Sequence, residues 1–406
     1  SDINYAKMCK DVMGRRCLTV LVGSHVSAEP GDSLERAGGA VDAVGIGEYD
    51  FTLIDIAGGT PLPHVKGIAF WNEGEAVLNK PREFIADLDN LPYPAWHHID
   101  PRDYHDFGKL YPFITLISGR GCESACTFCQ LPQVMYGRHY RAMSPRRVVD
   151  EIEYDLKLFP YLKEIMFEDD TLTLRRYRDR LAEICDELLK RDLKIVWSAN
   201  ARADLTNLNL LQLMRRSGCR MLVVGFEFGD QQILDNVHKG VRLEQMREFA
   251  ELCKQVGIRV HGCFMIGGPG ETPETARRTI EFAKQLPIDT AQFSGLCPSP
   301  GTEFYEWAQT NGHLVPKDWT DWVDENNEQR AIVNLPELSV EEINRLVDEG
   351  LKEFYLRPSQ VARILANALS PTDLRTKWDG LGGFVDYFLH ERLRRHCSQP
   401  ARWSGT

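Results

Sequence analysis

The feature that most constrains the fold of this chain is a regular alternation of strand-length apolar runs with helix-length amphipathic segments after Phe113. The candidate strands are residues 114–118, 164–167, 195–198, 221–226, 259–266 and 290–294. The helical segments between them start near Ser144, Leu174, Asp204, Leu243 and Thr272. Strands joined by helical crossovers run parallel with right-handed connections. The pattern therefore predicts an α/β fold whose core is a partial (β/α)6 barrel of the TIM type, with its site at the carboxyl ends of the strands.

Three further regions surround this predicted core, which spans 113–302. Residues 1–80 contain two short apolar runs that end in glycine-containing turns, and they predict a partial Rossmann-like unit. Prolines at 81, 92, 94, 101 and 112 interrupt every candidate helix of 81–112, which predicts a linker. From 303 to 406, amphipathic spacing at 340–356 and 384–395 predicts a helical C-terminal region.

Charge and cysteine content narrow the function classes. The net charge of −11 on 406 residues disfavours binding to the phosphate backbone of nucleic acid. No apolar run reaches the ~18 residues that cross a bilayer, and we find no secretory signal pattern. The 11 cysteines, an odd number, argue against a disulfide framework. These features predict a cytoplasmic protein with reduced thiols, some of which bind metal.

The sequence Cys-Glu-Ser-Ala-Cys-Thr-Phe-Cys directly follows the first strand of the core and places thiols at 122, 126 and 129. Three thiolates on one short loop can hold three corners of a 4Fe–4S cluster and leave the fourth iron open. Zinc would need a fourth ligand, for which only His139 is near, and a thioredoxin-like pair leaves Cys122 unexplained. The loop predicts Cys122, Cys126 and Cys129 as cluster ligands, with zinc as the alternative.

This loop resembles the signature of radical S-adenosylmethionine enzymes, and the six β/α units resemble their partial barrel. The resemblance implies that S-adenosylmethionine chelates the open iron through its amino and carboxylate groups. It also implies that the reduced cluster cleaves the sulfonium to a 5′-deoxyadenosyl radical, which takes hydrogen from a substrate. An external electron donor of the flavodoxin or ferredoxin type and a small-molecule substrate, with hydrophobic compounds among the candidates, follow from the same resemblance.

The resemblance further implies that residues at the strand ends bind S-adenosylmethionine. An acidic trio after the second strand is suited to bind the ammonium group of the cofactor, and a glutamate after the fourth strand is suited to bind its ribose. Polar residues of the third strand are candidates for its carboxylate, and glycines after the fifth strand are candidates for its adenine. These candidates are Glu168, Asp169, Asp170, Ser198, Asn200, Arg202, Glu227, Gly267 and Gly268. The structural alternatives are helix caps, a salt-bridge acid and a simple turn.

Cys297 and the pair Arg138 and Arg141 each have two alternative interpretations. Cys297 follows the sixth strand and is a candidate catalytic hydrogen-atom donor or site-lining thiol, with packing as the alternative. Arg138 and Arg141 follow the cysteine loop and either hold an acidic substrate or cap the loop. Cys185, Cys219 and Cys253 are predicted to be core residues.

The N-terminal unit resembles the second half of the cobalamin-binding domain that precedes many radical S-adenosylmethionine cores. His25, at a strand end, is then a candidate contact for a corrin or phosphate, with a turn histidine as the alternative. The opening strand–helix–strand of such a domain is absent from these residues, so we expect weak or no cobalamin binding by them alone. The Asp-x-His-x-x-Gly match at 103–108 lies in the linker and is interpreted as chance.

Three function hypotheses result. The first is cobalamin-dependent C-methylation of an unactivated carbon. The second is radical cyclisation or ring rearrangement of a hydrophobic substrate of porphyrin-ester or hopanoid type, without methyl transfer. The third, from a different class, is a non-catalytic iron–sulfur or zinc binding protein.

Overall fold

The computed structural model of this protein describes residues 2–106, 108–204, 207–323 and 331–368, and strands and helices alternate through most of them. Strands β1 to β12 are Val20–Leu21, Ala43–Gly45, Ile68–Asn72, Glu75–Leu78, Phe113–Leu116, Gly119–Arg120, Arg141–Ala142, Glu164–Phe167, Val196–Ala201, Cys219–Glu227, Arg259–Ile266 and Thr290–Gly295. Helices α1 to α13 are Asp2–Met13, Ser24–Ala28, Pro30–Ala37, Asp50–Ala57, Pro145–Leu158, Arg178–Lys190, Leu208–Arg216, Gln231–Asn236, Leu243–Val256, Pro273–Gln285, Glu303–Thr310, Val340–Tyr355 and Pro358–Ala368.

The central sheet has the order β12-β11-β10-β9-β8-β5, and every neighbouring pair is parallel. Strands consecutive along the core are thus neighbours in space, as right-handed β/α units require. Two predicted strands, 164–167 and 259–266, coincide with β8 and β11, and the others overlap the observed ones. The predicted end of the third strand at Ser198 is wrong, because β9 continues to Ala201.

Local signals explain where the crossover helices begin. Ser144 caps α5 by accepting a hydrogen bond from Arg147 N–H, and Thr272 caps α10 in the same way, each before a proline at the first helical position. The third helical segment was predicted to start near Asp204. It starts at Leu208 because the side chain of Asn207 accepts from Leu210 N–H and caps the helix there.

One large apolar core joins the six strands to these helices. Trp197, Phe167, Phe226 and Phe264 are its largest fully buried members on the strands. A large apolar side chain of this kind stabilises the fold by roughly 1.5–3 kcal/mol on full burial. The core therefore fixes the carboxyl ends of the strands, where the candidate site lies.

The N-terminal unit is built on a smaller sheet of order β1-β2-β3-β4. Its parallel pair β1 and β2 corresponds to the two predicted apolar runs. Strands β3 and β4 add an antiparallel hairpin that we did not predict. The hairpin turns at Glu73 and Gly74, both with positive φ, which is the geometry of a two-residue primed turn.

The linker and the C-terminal region both cover the core. In residues 81–106 and 108–112 the regular elements are short 3-10 turns, and Asp89 accepts a hydrogen bond of 2.7 Å from Ser144 N–H at the start of α5. Helix α12 matches the predicted segment 340–356 and packs on β12 and α10. The predicted helix at 384–395 lies outside the described residues. Within the described residues, no helix has the length and apolar character needed to span a membrane.

Candidate functional site

The three-cysteine loop lies between β6 and β7, which pair as a short antiparallel ribbon after β5. Two glycines make this ribbon possible. A Cβ atom at Gly119 would lie 2.3 Å from the hydroxyl of Tyr140, and one at Gly121, where φ is +90°, would lie 2.4 Å from the carbonyl of His139. Neither contact is sterically allowed, so the loop needs glycine at both positions.

The thiols of Cys122 and Cys126 are buried, that of Cys129 is half-buried, and none is in a disulfide. Burial, together with the nearby Cys126 and Cys122, raises the pKa of Cys129 to about 12. Burial also raises the pKa of Cys126, although the positive charges of Lys239 and Arg202 lower it. A metal centre would therefore have to displace protons from these thiols.

The loop backbone is held by side chains of the protein. The amide of Gln133 donates hydrogen bonds to the carbonyls of Cys126, Thr127 and Cys129 at 3.3, 3.1 and 2.9 Å. Arg138 donates a hydrogen bond to the carbonyl of Ser124 at 2.8 Å. It therefore caps the loop, which was one of the two alternatives for this residue. The loop thus has a defined conformation from its own hydrogen bonds.

The three acids Glu168, Asp169 and Asp170 have different surroundings: two of them bind the cysteine loop and one is partly exposed. Asp169 is fully buried and accepts hydrogen bonds from Ser118 N–H at 2.6 Å, Ser118 Oγ at 2.8 Å and the Tyr140 hydroxyl at 3.0 Å. Asp170 accepts from Gly121 N–H at 2.8 Å. Burial raises the pKa of Asp170 to about 6, against the effect of that hydrogen bond. These two carboxylates hold the loop. Glu168 keeps 37% of its side-chain surface in solvent, and its Oε1 lies 3.9 Å from Lys109 Nζ.

The candidates on β9 are placed differently from one another. Ser198 lies inside the strand, is fully buried and donates a hydrogen bond to Glu164 at 2.5 Å. Its side chain therefore belongs to the core and does not have the cofactor contact that we predicted. Asn200 lies beside Glu168 and donates a hydrogen bond to its carboxylate at 3.3 Å. Arg202 forms an ion pair with Asp204 at 2.9 Å. Against the lowering effect of burial, Asp204 raises the pKa of Arg202, and Cys126 and Cys122 of the cysteine loop contribute to raising it.

Glu227 ends β10 after a bulge and has a positive φ of 64°. Its Oε1 accepts a hydrogen bond of 2.7 Å from Lys239 Nζ, and its buried Oε2 has no hydrogen-bond partner. A Cβ at Gly225 would lie 2.2 Å from Oε1, so this glycine leaves room for the carboxylate. A buried acceptor without a partner is costly, so Oε2 is a candidate acceptor for a ligand donor.

Lys239 is a functional candidate that sequence reasoning missed. It is buried, follows the short helix α8 and lies near the cysteine loop, since Val237 accepts from Thr127 N–H at 3.1 Å. Its only sequence signal is a lysine next to Gly240 in a turn, which is common in exposed loops. The pairing with Glu227 depends on the tertiary structure.

The glycine pair after β11 is closely packed. Gly267 has a φ of 106°, and a Cβ there would lie 3.1 Å from Ile343 of α12, while one at Gly268 would lie 2.8 Å from Ile233. Both glycines donate their N–H groups to Glu271. The pair therefore forms a tight turn at the strand end, where we predicted the adenine side of the cofactor.

The remaining candidates lie at the edge of this arrangement. His25 is in α2, and its ring packs edge-to-face on Trp319 at 4.7 Å. Cys297 is half-buried after β12 and packs against the main core. His105, from the chance motif, stacks on Tyr111 at 4.2 Å in the linker.

The N-terminal unit contacts the cysteine-loop ribbon through ion pairs that we did not predict. Glu48, which is buried, accepts from Arg141 at 2.9 Å and from Ile85 N–H at 2.8 Å. Arg120 pairs with Asp50 at 2.7 Å. Arg141 therefore caps the ribbon and connects it to the N-terminal unit.

The sequence is similar to a known family over the region of this site. Residues 116–283 match the radical SAM superfamily. The chain is 31% identical to an uncharacterized methyltransferase of Pyrococcus horikoshii over 87% of this chain and 75% of that protein. The chain belongs to the radical SAM superfamily. It is an enzyme of this family, whose cofactors are a 4Fe–4S cluster and S-adenosylmethionine.

Two further similarities widen the comparison. Identity to the anaerobic magnesium-protoporphyrin IX monomethyl ester cyclase of Rubrivivax gelatinosus is 31% over 60% of this chain, which spans 43% of that protein. The fold is similar to that of the radical S-adenosylmethionine methyltransferase TsrM from Kitasatospora setae, solved with cobalamin and a 4Fe–4S cluster. That match has a TM-score of 0.67 and 19% identity and covers 89% of this chain and 76% of the other.

The residues present fit the family's cluster. Three thiols lie on one loop with a fixed backbone, and two buried cations, Lys239 and Arg202, face Cys126. Among the described residues, no three His, Cys, Asp or Glu side chains converge on a single-ion site. In a cluster each thiolate binds its own iron, so the ligands need not converge on one point.

Proposed function

We propose that this protein is a cobalamin-dependent radical S-adenosylmethionine methyltransferase that methylates a carbon of a small molecule. The observation that carries the proposal is the loop of Cys122, Cys126 and Cys129 beside Glu227, whose buried Oε2 has no hydrogen-bond partner, and the partly exposed Glu168. The similarity to a methyltransferase over most of the chain supports methylation over other radical reactions.

Each group in the site has a defined task under this proposal. When bound, the cluster supplies the electron that cleaves S-adenosylmethionine reductively. Glu227 Oε2 accepts a hydrogen bond from the ribose, and Lys239 orients that carboxylate through Oε1. Glu168 accepts from the ammonium group, and Asn200 positions Glu168. Asp169 and Asp170 keep the loop in place by hydrogen bonds to Ser118 and Gly121.

The N-terminal unit is the proposed cobalamin side. The turns after β1 and β2 lie toward the cysteine loop, because Ser27 of α2 contacts Met135 at 3.5 Å and accepts from Gly47 N–H at 3.0 Å. His25, in the same helix, is a candidate corrin contact. Two parallel strands form only one side of a ligand crevice, so we propose that these residues alone bind cobalamin weakly.

Radical cyclisation is the second candidate, because the cyclase similarity covers the core at 31% identity. Anaerobically reconstituted protein, supplied with excess cobalamin and a reductant and incubated with methyl-labelled S-adenosylmethionine and a small-molecule extract, distinguishes the two. We expect a labelled product heavier by one methylene and loss of that product in the Glu227→Ala variant. An unlabelled product with fewer hydrogens would favour cyclisation, and no cleavage of S-adenosylmethionine would favour a non-catalytic protein.

A further inference from the structure

A group of exposed arginines lies beside the cysteine loop in a chain whose net charge is −11. Arg175, Arg176 and Arg178 are exposed, and Arg176 and Arg178 keep 76% and 53% of their side-chain surface in solvent. We name these three residues the arginine patch. Asp179 is the one acid in 174–180, so the segment is locally cationic.

The arginine patch is fixed to the cysteine loop by the residues around it. Leu174 packs in one buried cluster with Cys122 and Tyr140. The hydroxyl of Tyr177 donates to the carbonyl of Tyr140 at 3.1 Å. Arg176 lies 3.4 Å from Glu123, the residue that follows Cys122. The patch is therefore an exposed cationic rim directly outside the buried thiols.

The next arginine in the segment shows that outward orientation is specific to the patch. Arg180 turns inward and donates to the carbonyls of Ser118 at 2.8 Å and Met143 at 2.7 Å. Arg180 thus supports the ribbon, whereas the three patch residues leave their guanidinium groups mainly in solvent. The solvated cations have no comparable structural task within the described residues.

The proposed function requires one electron from outside for each reductive cleavage. Cys122 and Cys126 are buried, so a donor protein must approach the surface next to the loop. We infer that the arginine patch is the docking surface for an acidic one-electron carrier protein with a flavin or iron–sulfur centre. Opposite charges steer such encounters and raise association rates by about 10–1000-fold. One electron leaves the carrier's centre and enters the cluster, and no atom is transferred.

This inference rests on the proposed function, and its test separates the two. The variant R175E/R176E/R178E reverses the patch. The matched control R215E/R216E/R259E makes the same charge change on exposed arginines at the amino ends of β10 and β11, the opposite edge of the sheet. The full chain is reconstituted anaerobically, and equal iron content and circular dichroism are checked first. Cluster reduction is then timed with reduced flavodoxin, reduced ferredoxin and dithionite.

We expect the patch variant to be reduced about 10-fold more slowly or worse by at least one carrier protein at low salt, with a flattened salt dependence. Dithionite reduction should be unchanged, and the control should match the wild type in every arm. Equal rates for patch variant and control overturn the inference, as does an equal loss with dithionite. Unchanged reduction with weakened binding of an acidic substrate would reassign the patch to the substrate and also overturn it. Failure of the wild type to cleave S-adenosylmethionine with dithionite would refute the proposed function itself.

Discussion

The cysteine loop is held from two sides, and the two sides use different chemistry. On the sheet side, Asp169 and Asp170 accept hydrogen bonds from the neutral donors Ser118, Tyr140 and Gly121. On the side of the N-terminal unit, Glu48 and Asp50 pair with the guanidinium groups of Arg141 and Arg120. Asp169 on the sheet side and Glu48 on the other side are both buried, whereas Asp50 keeps 31% of its side-chain surface in solvent.

This difference suggests different mechanical roles for the two sides. Buried hydrogen bonds with several donors have one satisfactory geometry and are little screened by salt. Ion pairs near the surface are weaker, salt-dependent and can re-form in another geometry. The sheet side therefore sets the position of the loop, and the partly exposed Asp50–Arg120 pair forms an adjustable contact between the N-terminal unit and the loop.

The largest expected effect comes from the loop thiols themselves. The triple variant C122A/C126A/C129A should lose all cluster iron and sulfide after anaerobic reconstitution, because no other thiols lie on that loop. Cys185→Ala is the matched control, since Cys185 is fully buried in α6 and packs in the core. Iron and sulfide analysis with absorbance spectra checks the result. Full cluster content in the triple variant, or tightly bound zinc in the wild type, would contradict the assignment.

The sheet side of this comparison was largely predictable from the sequence. Apolar runs of strand length and capped helices recur there, so the periodicity alone located β8 and β11 and the starts of α5 and α10. The strand ends then followed from the topology, which brought Glu168 and Glu227 to one edge. Ser198 was wrongly predicted to lie at the end of the third strand, because the polar residues of β9 do not show where a parallel strand stops.

The N-terminal side was less predictable because its contacts are tertiary. Glu48 and Arg141 are far apart in sequence, and nothing local marks either of them as a buried partner. Lys239 was missed for the same reason. The hairpin of β3 and β4 did carry a signal, since Glu73-Gly74 lies between two short apolar runs, a pattern typical of a tight turn.

Alanine variants of one carboxylate on each side test the comparison directly. Asp169→Ala leaves the donors of Ser118 and Tyr140 without an acceptor, at about 1–3 kcal/mol for each orphaned group, so unfolding free energy should fall by several kcal/mol. Asp50→Ala should cost at most about 1 kcal/mol, because its ion pair with Arg120 is partly exposed. Arg120 keeps a partner, since it still lies 3.5 Å from Glu48.

Urea unfolding of both variants at low and high salt gives the measurement. The gap between Asp50→Ala and wild type should narrow as salt rises, because screening weakens the partly exposed Asp50–Arg120 pair in the wild type. The gap for Asp169→Ala should stay constant. Equal losses, or the same salt response, would show that the two sides do not differ as described.

The open acceptor on the sheet side gives a smaller effect that appears in cofactor affinity. Glu227→Ala should weaken binding of S-adenosylmethionine by roughly 1.5–3 kcal/mol, the usual contribution of a hydrogen bond to a charged group. Glu251→Ala, an acid 65% exposed on α9, is the control and should bind normally. Calorimetry on cluster-loaded protein measures both. Unchanged cofactor affinity with lost turnover would assign Glu227 to the substrate instead.

The smallest effect, counted per pH unit, contrasts a satisfied buried acid with an unsatisfied one. Asp155 in α5 is fully buried, and neither of its carboxylate oxygens has a hydrogen-bond partner, unlike those of Asp169. Burial, together with the nearby Glu151, raises the pKa of Asp155 to about 8, against the opposing effect of Arg147. The unfolded chain has an ordinary aspartate pKa of about 3.9. Between these two values the folded state binds more protons, so this group makes stability fall as pH rises, with a slope of at most about 1.4 kcal/mol per pH unit.

Asp155→Asn removes that titration while keeping the shape of the side chain. The variant should therefore lose less stability than the wild type between pH 5 and 8, a window that lies between the two pKa values of about 3.9 and 8. Asp150→Asn, on the half-exposed face of the same helix, is the control and should leave the wild-type slope intact. Urea unfolding across this pH range measures the slopes. An unchanged slope in Asp155→Asn would mean that Asp155 is charged in the folded protein and has a partner cation, so that the contrast with Asp169 would fail.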